Sequence, residues 1–163
     1  PMHLEEAYQT LTSQLLEIIR ERFASLPELR NIRLHGDCHL GNLLWIDDSP
    51  HIVDFDDCRM GPAVQDLWML LSGETPEQEA QLAHVLKGYL QFCDFDMSQL
   101  RLIEPLRTLR MLHYSAWLAQ RWDDPAFPMA FPWFNTTRYW EEQILSLREQ
   151  QALLNEAPLQ YQP

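Results

Sequence analysis

Residues 35–42 read His-Gly-Asp-Cys-His-Leu-Gly-Asn, and residues 53–57 read Val-Asp-Phe-Asp-Asp. Between and into them run Leu43-Leu44-Trp45-Ile46 and His51-Ile52-Val53-Asp54-Phe55, two short stretches rich in branched and aromatic residues. The turn formers Asp47-Asp48-Ser49-Pro50 separate them. This pattern predicts a β-hairpin over residues 43–55. Symmetric closure around a four-residue turn sets Leu43 opposite Asp54 and Asn42 opposite Phe55, and directly opposed residues lie about 5 Å apart. Asn42 and Asp54 then meet at one end of the hairpin, and the loop before it is short enough to fold Asp37 back to the same point.

Two carboxylates and a carboxamide at one point repel or raise each other's pKa unless a cation joins them. Oxygen donors of this kind suit Mg²⁺, which keeps several waters and takes only one or two carboxylates plus substrate phosphates. A carboxylate not committed to the metal can accept a proton from a hydroxyl. Together these are the parts of a phosphoryl-transfer site.

Outward from this element the sequence turns helical. Leu4, Tyr8, Leu11, Leu15 and Ile18 recur at steps of three and four, predicting a helix from about His3 to Phe23. Ile32-Arg33-Leu34 is a further short strand candidate. Helices are expected over residues 63–71 and, with Thr75 as cap and Gln78 completing a capping box, from Thr75 to Phe92. Another runs from Ser98 to Trp122, broken or kinked near Glu104 by Pro105. Pro125, Pro128 and Pro132, interleaved with Phe127, Phe131, Trp133 and Phe134, read as a stiff loop whose role stays open. A last helix spans Thr136 to about Asn155, and the tail from Pro158 is either frayed or docked in extended form. The fold class is mainly α (α+β), with a small β-hairpin carrying the chemistry. Trp117 and Trp140 are expected in the core, because aromatic positions on helices are more often core than site.

The 163 residues suit one domain. Twelve basic against twenty-four acidic side chains give a net charge of −12, which argues against nucleic acid or anionic membrane as partners. No apolar run nears the roughly 20 residues that span a bilayer, and no basic-then-apolar leader is visible. Three cysteines do not make a disulfide scaffold, so a reducing, cytoplasmic setting is expected. Cys38 reads as a small residue filling a tight, acidic loop, since a reactive thiol needs basic surroundings. The five glycines include no GxG, so no glycine-rich phosphate loop is present in this sequence.

HGDCHLGN, followed by VDFDD and then by GPAVQDLW at residues 61–68, resembles the aminoglycoside phosphotransferase/choline kinase family, a branch of the protein-kinase-like fold. The similarity runs from about residue 30 to the end, through LIEPLR, DPAFP, FPW and PLQ. It implies that residues 1–163 form a single C-terminal kinase lobe. The N-terminal lobe, with its phosphate-covering loop and strand lysine, is missing as a partner. Lys87, the one lysine, falls after the metal motif, where no nucleotide lysine belongs.

By this resemblance Asp37 is the catalytic aspartate, and Asn42 and Asp54 hold Mg²⁺ on the phosphates of ATP. Asp56 stands where the protein-kinase DFG motif has glycine. As a strand residue it shares a face with Asp54, and it either supports the metal ligands from behind or binds a second metal, or else serves a hydrogen-bonded loop. Asp57 points the other way and is expected to pair with Arg59. His35 packs the loop, Asp66 buttresses it from the next helix, and His39 either orients Asp37 or touches a phosphate as part of cofactor binding.

The implied activity is transfer of the ATP γ-phosphate to a hydroxyl. Within the family the resemblance is longest to bacterial kinases of protein Ser/Thr in stress response, with small-molecule kinases as the alternative. The isolated lobe is expected to be inactive. Two further classes compete. Asp37-Cys38-His39 also opens the DxH pattern of two-metal phosphoesterases, but the only later acidic cluster, VDFDD, contains no histidine. A non-catalytic kinase-like binding module is the other, and an intact Asp37/Asn42/Asp54 set counts against it.

Overall fold

Asp47 and Asp48 both adopt left-handed backbone, with φ of 48° and 58°, and this closes the hairpin earlier than the composition of the turn suggests. Two consecutive positive φ values make a two-residue turn of the mirror-image kind that matches strand twist. In this computed structural model, which describes residues 2–162, β2 (Leu43–Ile46) therefore pairs with β3 (Ser49–Ile52) in the register Leu43↔Ile52 to Ile46↔Ser49. Ser49 and Pro50 belong to the strand and not to the turn. The expected Leu43–Asp54 opposition shifts by two residues, an even step that leaves each side chain on its face.

A second antiparallel pair joins β1 (Ile32–Leu34) to β4 (Arg59–Gly61), with Ile32 opposite Gly61 and Leu34 opposite Arg59. Nothing in the local composition of Arg59-Met60-Gly61 announces a strand. Its pairing comes from the far side of the hairpin.

The helices are α1 (Met2–Ala24), α2 (Val64–Leu67), α3 (Thr75–Tyr89), α4 (Ile103–Gln120), α5 (Ala126–Ala130) and α6 (Thr137–Leu153). The helix expected over 63–71 is α2 followed by a 3-10 turn at Trp68–Leu70. The cap of α3 lies one residue earlier than Thr75: the Glu74 N–H donates to Glu77 Oε2 at 3.0 Å, while Gln78 donates to the Gly73 carbonyl at 2.7 Å. Asp96, not Ser98, caps the next segment, accepting the Ser98 N–H at 2.9 Å at the start of a 3-10 helix over Met97–Leu102. Pro105 sits in the first turn of α4, where its missing N–H has no helical partner to lose. The proline-rich loop holds the short α5. Thr136 caps α6, its hydroxyl accepting the Tyr139 N–H at 3.2 Å.

Contacts divide the chain into two compact units. One comprises α1 with Glu104–Glu156. Its core is Leu11, Leu15, Leu112, Ile144, Leu147 and Leu154, with Leu4, Tyr8 and Ile18 packed against it, as the helical spacing in α1 predicts. Leu15 and Leu147 are fully buried, each stabilising by about 1.5–3 kcal/mol. Trp117 and Trp140 are half-buried. Trp117 meets Phe127 and Phe131, and Trp140 meets Tyr8 and Phe134. The other unit comprises Leu26–Ile103 and the tail from Ala157. In it Gln99, buried, accepts the Val64 N–H through Oε1 at 3.2 Å. The tail is docked: the Gln160 N–H donates to Glu79 Oε1 at 2.8 Å. Among the described residues no helix is long and apolar enough to cross a membrane.

Candidate active site

β1 delivers the chain into residues 35–42, and the following helix grips it there. The carboxylate of Asp66 on α2 accepts two successive backbone amides, His35 N–H at Oδ2 (2.7 Å) and Gly36 N–H at Oδ1 (2.9 Å). Gln65 beside it donates to the Gly36 carbonyl at 3.3 Å. Gly36 has φ +89°, and a Cβ there would sit 2.2 Å from the Asp57 carbonyl oxygen. Only glycine takes that conformation at that approach.

His35 is buried, with both ring nitrogens engaged. Nδ1 accepts the Asp37 N–H at 3.3 Å, which assigns the ring proton to Nε2. Nε2–H donates to the Val53 carbonyl at 2.8 Å. The Val53 N–H in turn donates to the Asn42 carbonyl at 3.0 Å. Asn42, also buried, donates from Nδ2 to the Asp37 carbonyl at 3.0 Å. Four hydrogen bonds thus close a ring through Asp37, His35, Val53 and Asn42. Asp37 is a member of it, and Asp54 is the residue after a member.

Asn42 therefore lies opposite Val53, one residue short of Asp54. The bonds bring Asp37 and Asn42 together and set Asp54 one residue beyond the Asn42 partner, although the register differs. The geometry after Val53 departs further from expectation. Asp54 leaves the strand in left-handed conformation, φ 65° and ψ 68°, a conformation that aspartate tolerates better than most residues. Phe55–Asp57 form a 3-10 turn closed by the Cys58 N–H on the Phe55 carbonyl at 3.2 Å. Strand alternation does not apply across 54–56, so the shared face expected of Asp54 and Asp56 is not present. Asp56 is exposed on the turn. Asp57 does meet Arg59, 3.5 Å from Oδ1 to Nη2. The Phe55 ring packs 4.9 Å from His35.

His39 has its Nδ1 on the Gly41 N–H at 3.0 Å, capping the 3-10 turn Leu40–Asn42. Its Nε2 lies 3.4 Å from Asp37 Oδ2. Cys38 is half-buried, and burial, followed by the charges of Asp66 and Asp37, pushes its thiol pKa up, which keeps it unreactive.

Among the described residues no group of three or more His, Cys, Asp or Glu could hold a metal by itself. The oxygen donors that the sequence nominates are one carboxamide, Asn42, within the ring, and one carboxylate, Asp54, on the residue after Val53. Because Asn42 Nδ2 is engaged with the Asp37 carbonyl, Oδ1 is the atom it offers. Such a sparse set suits a hard cation that takes its other ligands from phosphates and water, and Mg²⁺ is bound in that way.

Two contributors carry no signal that sequence reasoning could use. Val53 works through its backbone and not through its side chain. Gln65 adjoins Asp66, and only the fold reveals that it reaches the loop.

Residues 3–103 match the phosphotransferase enzyme family, and the chain belongs to that family. It is 49% identical over 158 residues to stress response kinase A of Salmonella choleraesuis, covering 97% of this chain and 46% of that protein. Identity is also 49% to the serine/threonine protein kinase RdoA of Salmonella typhimurium, with the same coverage. Identity to stress response kinase A of Escherichia coli K12 is 46%, covering all of this chain and 49% of that protein. The chain spans about half the length of these curated relatives. Among solved structures it resembles the amicoumacin kinase hAmiN, in complex with AMP-PNP, Ca²⁺ and Ami. The TM-score is 0.63 and the identity 21%, over 94% of this chain and 47% of that one. The kinase-like fold, mainly helical with small β elements, is thereby shown.

Proposed function

We propose that this chain is the catalytic and metal-binding part of an ATP-dependent kinase that phosphorylates Ser or Thr hydroxyls of proteins. The observation that carries this reading is the closed ring of hydrogen bonds through Asp37, His35, Val53 and Asn42, with Asp54 at its edge. It ties the backbone of Asp37 to Asn42 and to the residue before Asp54, which supports reading one acid beside two oxygen donors for a cation, as transfer between a metal-bound phosphate and a hydroxyl needs.

In this reading Asp37 accepts the proton of the acceptor hydroxyl and orients it toward the phosphorus. Asn42 Oδ1 and Asp54 are the residues that would hold Mg²⁺. When bound, that cation supplies charge neutralisation of the transferring group. His35 and Asp66 act on the backbone and keep Asp37 from drifting, and a misplacement of about 1 Å can cost a hundredfold in rate. Asp56, exposed on its turn, is assigned no metal. The adenine and phosphate grip of an N-terminal lobe is supplied by the longer protein, so residues 1–163 alone are inactive. The names of the relatives, stress response kinase A and serine/threonine protein kinase RdoA, favour a protein acceptor, in a bacterial stress response and in the cytoplasm. The amicoumacin kinase shares the fold at 21% identity and leaves a small-molecule hydroxyl as the alternative for assay.

The test is phosphate transfer from radiolabelled Mg-ATP by the native-length protein, with a denatured protein mixture and a panel of small alcohols and aminoglycosides offered in parallel. Label on Ser and Thr is expected, and Asp37→Asn is expected to lower kcat about a thousandfold with unchanged melting temperature. Label confined to the small molecules would move the acceptor class. An unimpaired Asp37→Asn would remove the reading.

A further inference from the structure

We propose that His39 is the positioning residue of Asp37 and not a phosphate contact, an inference that rests on Asp37 being the base of the reading above. Both ring nitrogens face partners inside the loop. Nδ1 accepts the Gly41 N–H at 3.0 Å, so the neutral ring carries its proton on Nε2. Nε2 is the atom 3.4 Å from Asp37 Oδ2. At that distance the two atoms make a close polar contact, and contacts of this kind commonly tighten into hydrogen bonds when substrate arrives.

The ring rests on the backbone of residue 41. A Cβ on residue 41 would stand 2.7 Å from His39 Cε1 and 2.9 Å from Nδ1. The imidazole thus lies against the glycine backbone on one side, while 40% of the side chain stays exposed. The Asn42 N–H, on the His39 carbonyl at 2.9 Å, and the His39 N–H, on the Asp37 carbonyl at 2.9 Å, hold the backbone of the same residue. The consequence is a ring anchored through Nδ1, with Nε2 set against one carboxylate oxygen. It sets the rotation of the Asp37 carboxylate and hence which oxygen meets an incoming hydroxyl. A ring turned outward to a phosphate would give up the Gly41 cap.

Two amides separate the roles of the two nitrogens. Asparagine reproduces the position of Nδ1 and can keep the cap, while glutamine reaches the position of Nε2 and can keep a donor on Asp37. In the native-length protein, steady-state kinetics of His39→Asn, His39→Gln and His39→Ala are expected to split accordingly. His39→Asn and His39→Ala should lose kcat about 10- to 50-fold with KM for ATP within about twofold, and His39→Gln should recover most of it. Gly41→Ala should lower kcat alone and add nothing to His39→Ala.

A raised KM for ATP at constant kcat would instead make His39 a phosphate contact. Full activity of His39→Asn would make it a loop cap only. Additive losses for Gly41→Ala and His39→Ala would break the link between them. The ¹⁵N shifts of the His39 ring, read by NMR, test the contact without any turnover. A protonated Nε2 that moves on Asp37→Asn supports the contact even if phosphate transfer fails, and a ring indifferent to Asp37→Asn overturns it even if transfer is robust.

Discussion

The two β pairs of the site-bearing unit are alike in size and opposite in how they are held. β2 and β3 are joined by the two-residue Asp47-Asp48 turn. Leu44, Trp45, Ile46 and Ile52 remain largely exposed, so the turn and the ladder do most of the holding. β1 and β4 come from opposite sides of that hairpin, and Leu34 at their junction is buried. No turn joins them. They are held by what surrounds the loop that leaves β1: the Asp66 carboxylate on two amides, Gln65 on the Gly36 carbonyl, and the approach of Gly36 to Asp57. The loop of residues 35–42 grows from the pair that depends on tertiary contacts, and Asp54 from the end of the pair that closes itself. A site assembled this way is exact only when the nonlocal pair is in place.

Substitutions should separate the two kinds of support. Gly36→Ala forces a side chain into left-handed backbone and against the Asp57 carbonyl. It is expected to destabilise by about 2–4 kcal/mol, read as a fall in the denaturation midpoint and as loss of amide protection in residues 32–37 and 59–61. The β2–β3 amides should keep theirs. Equal loss in both pairs would mean that the hairpin also leans on the loop.

Asp66→Asn leaves one acceptor where two amides need two, at a cost of about 1–3 kcal/mol. The same exchange profile should follow, weaker but in the same residues, and phosphate transfer by the native-length protein should fall with it. The smallest change belongs to the hairpin. Asp48→Gly relieves a left-handed residue but adds entropy to the unfolded chain, and the net effect is expected to be stabilising by about 0.5 kcal/mol. The gain should appear in hairpin amide exchange, with no change at residues 32–37.

Legibility follows the same division. α1 was readable because a leucine every three or four residues has one way to bury itself, and α6 because Thr136 supplies a cap at its start. The hairpin was readable as a hairpin, but its register was not. Whether Asp-Asp or Asp-Asp-Ser-Pro makes the turn depends on backbone angles that composition leaves open, and aspartate at positive φ costs little enough to permit the tighter choice. The 3-10 turn at Phe55–Asp57 was hidden for a related reason. A Val-Asp-Phe alternation reads as strand, yet Asp54 turns out of the ladder once β3 has no partner left beyond Asn42.

The sequence by itself determined the mainly helical class, the segment carrying the acidic residues, and the neighbourhood of Asn42 and Asp54, because these rest on local spacing and short-range pairing. Tertiary structure alone decided that β4 pairs with β1, that Val53 is the backbone hub between His35 and Asn42, that Gln65 and Asp66 share the loop of residues 35–42, and that strand alternation does not run from Asp54 to Asp56. Those outcomes depend on backbone hydrogen bonds between segments far apart in the chain. Every residue other than proline offers the same N–H and C=O, so no residue type advertises its partner.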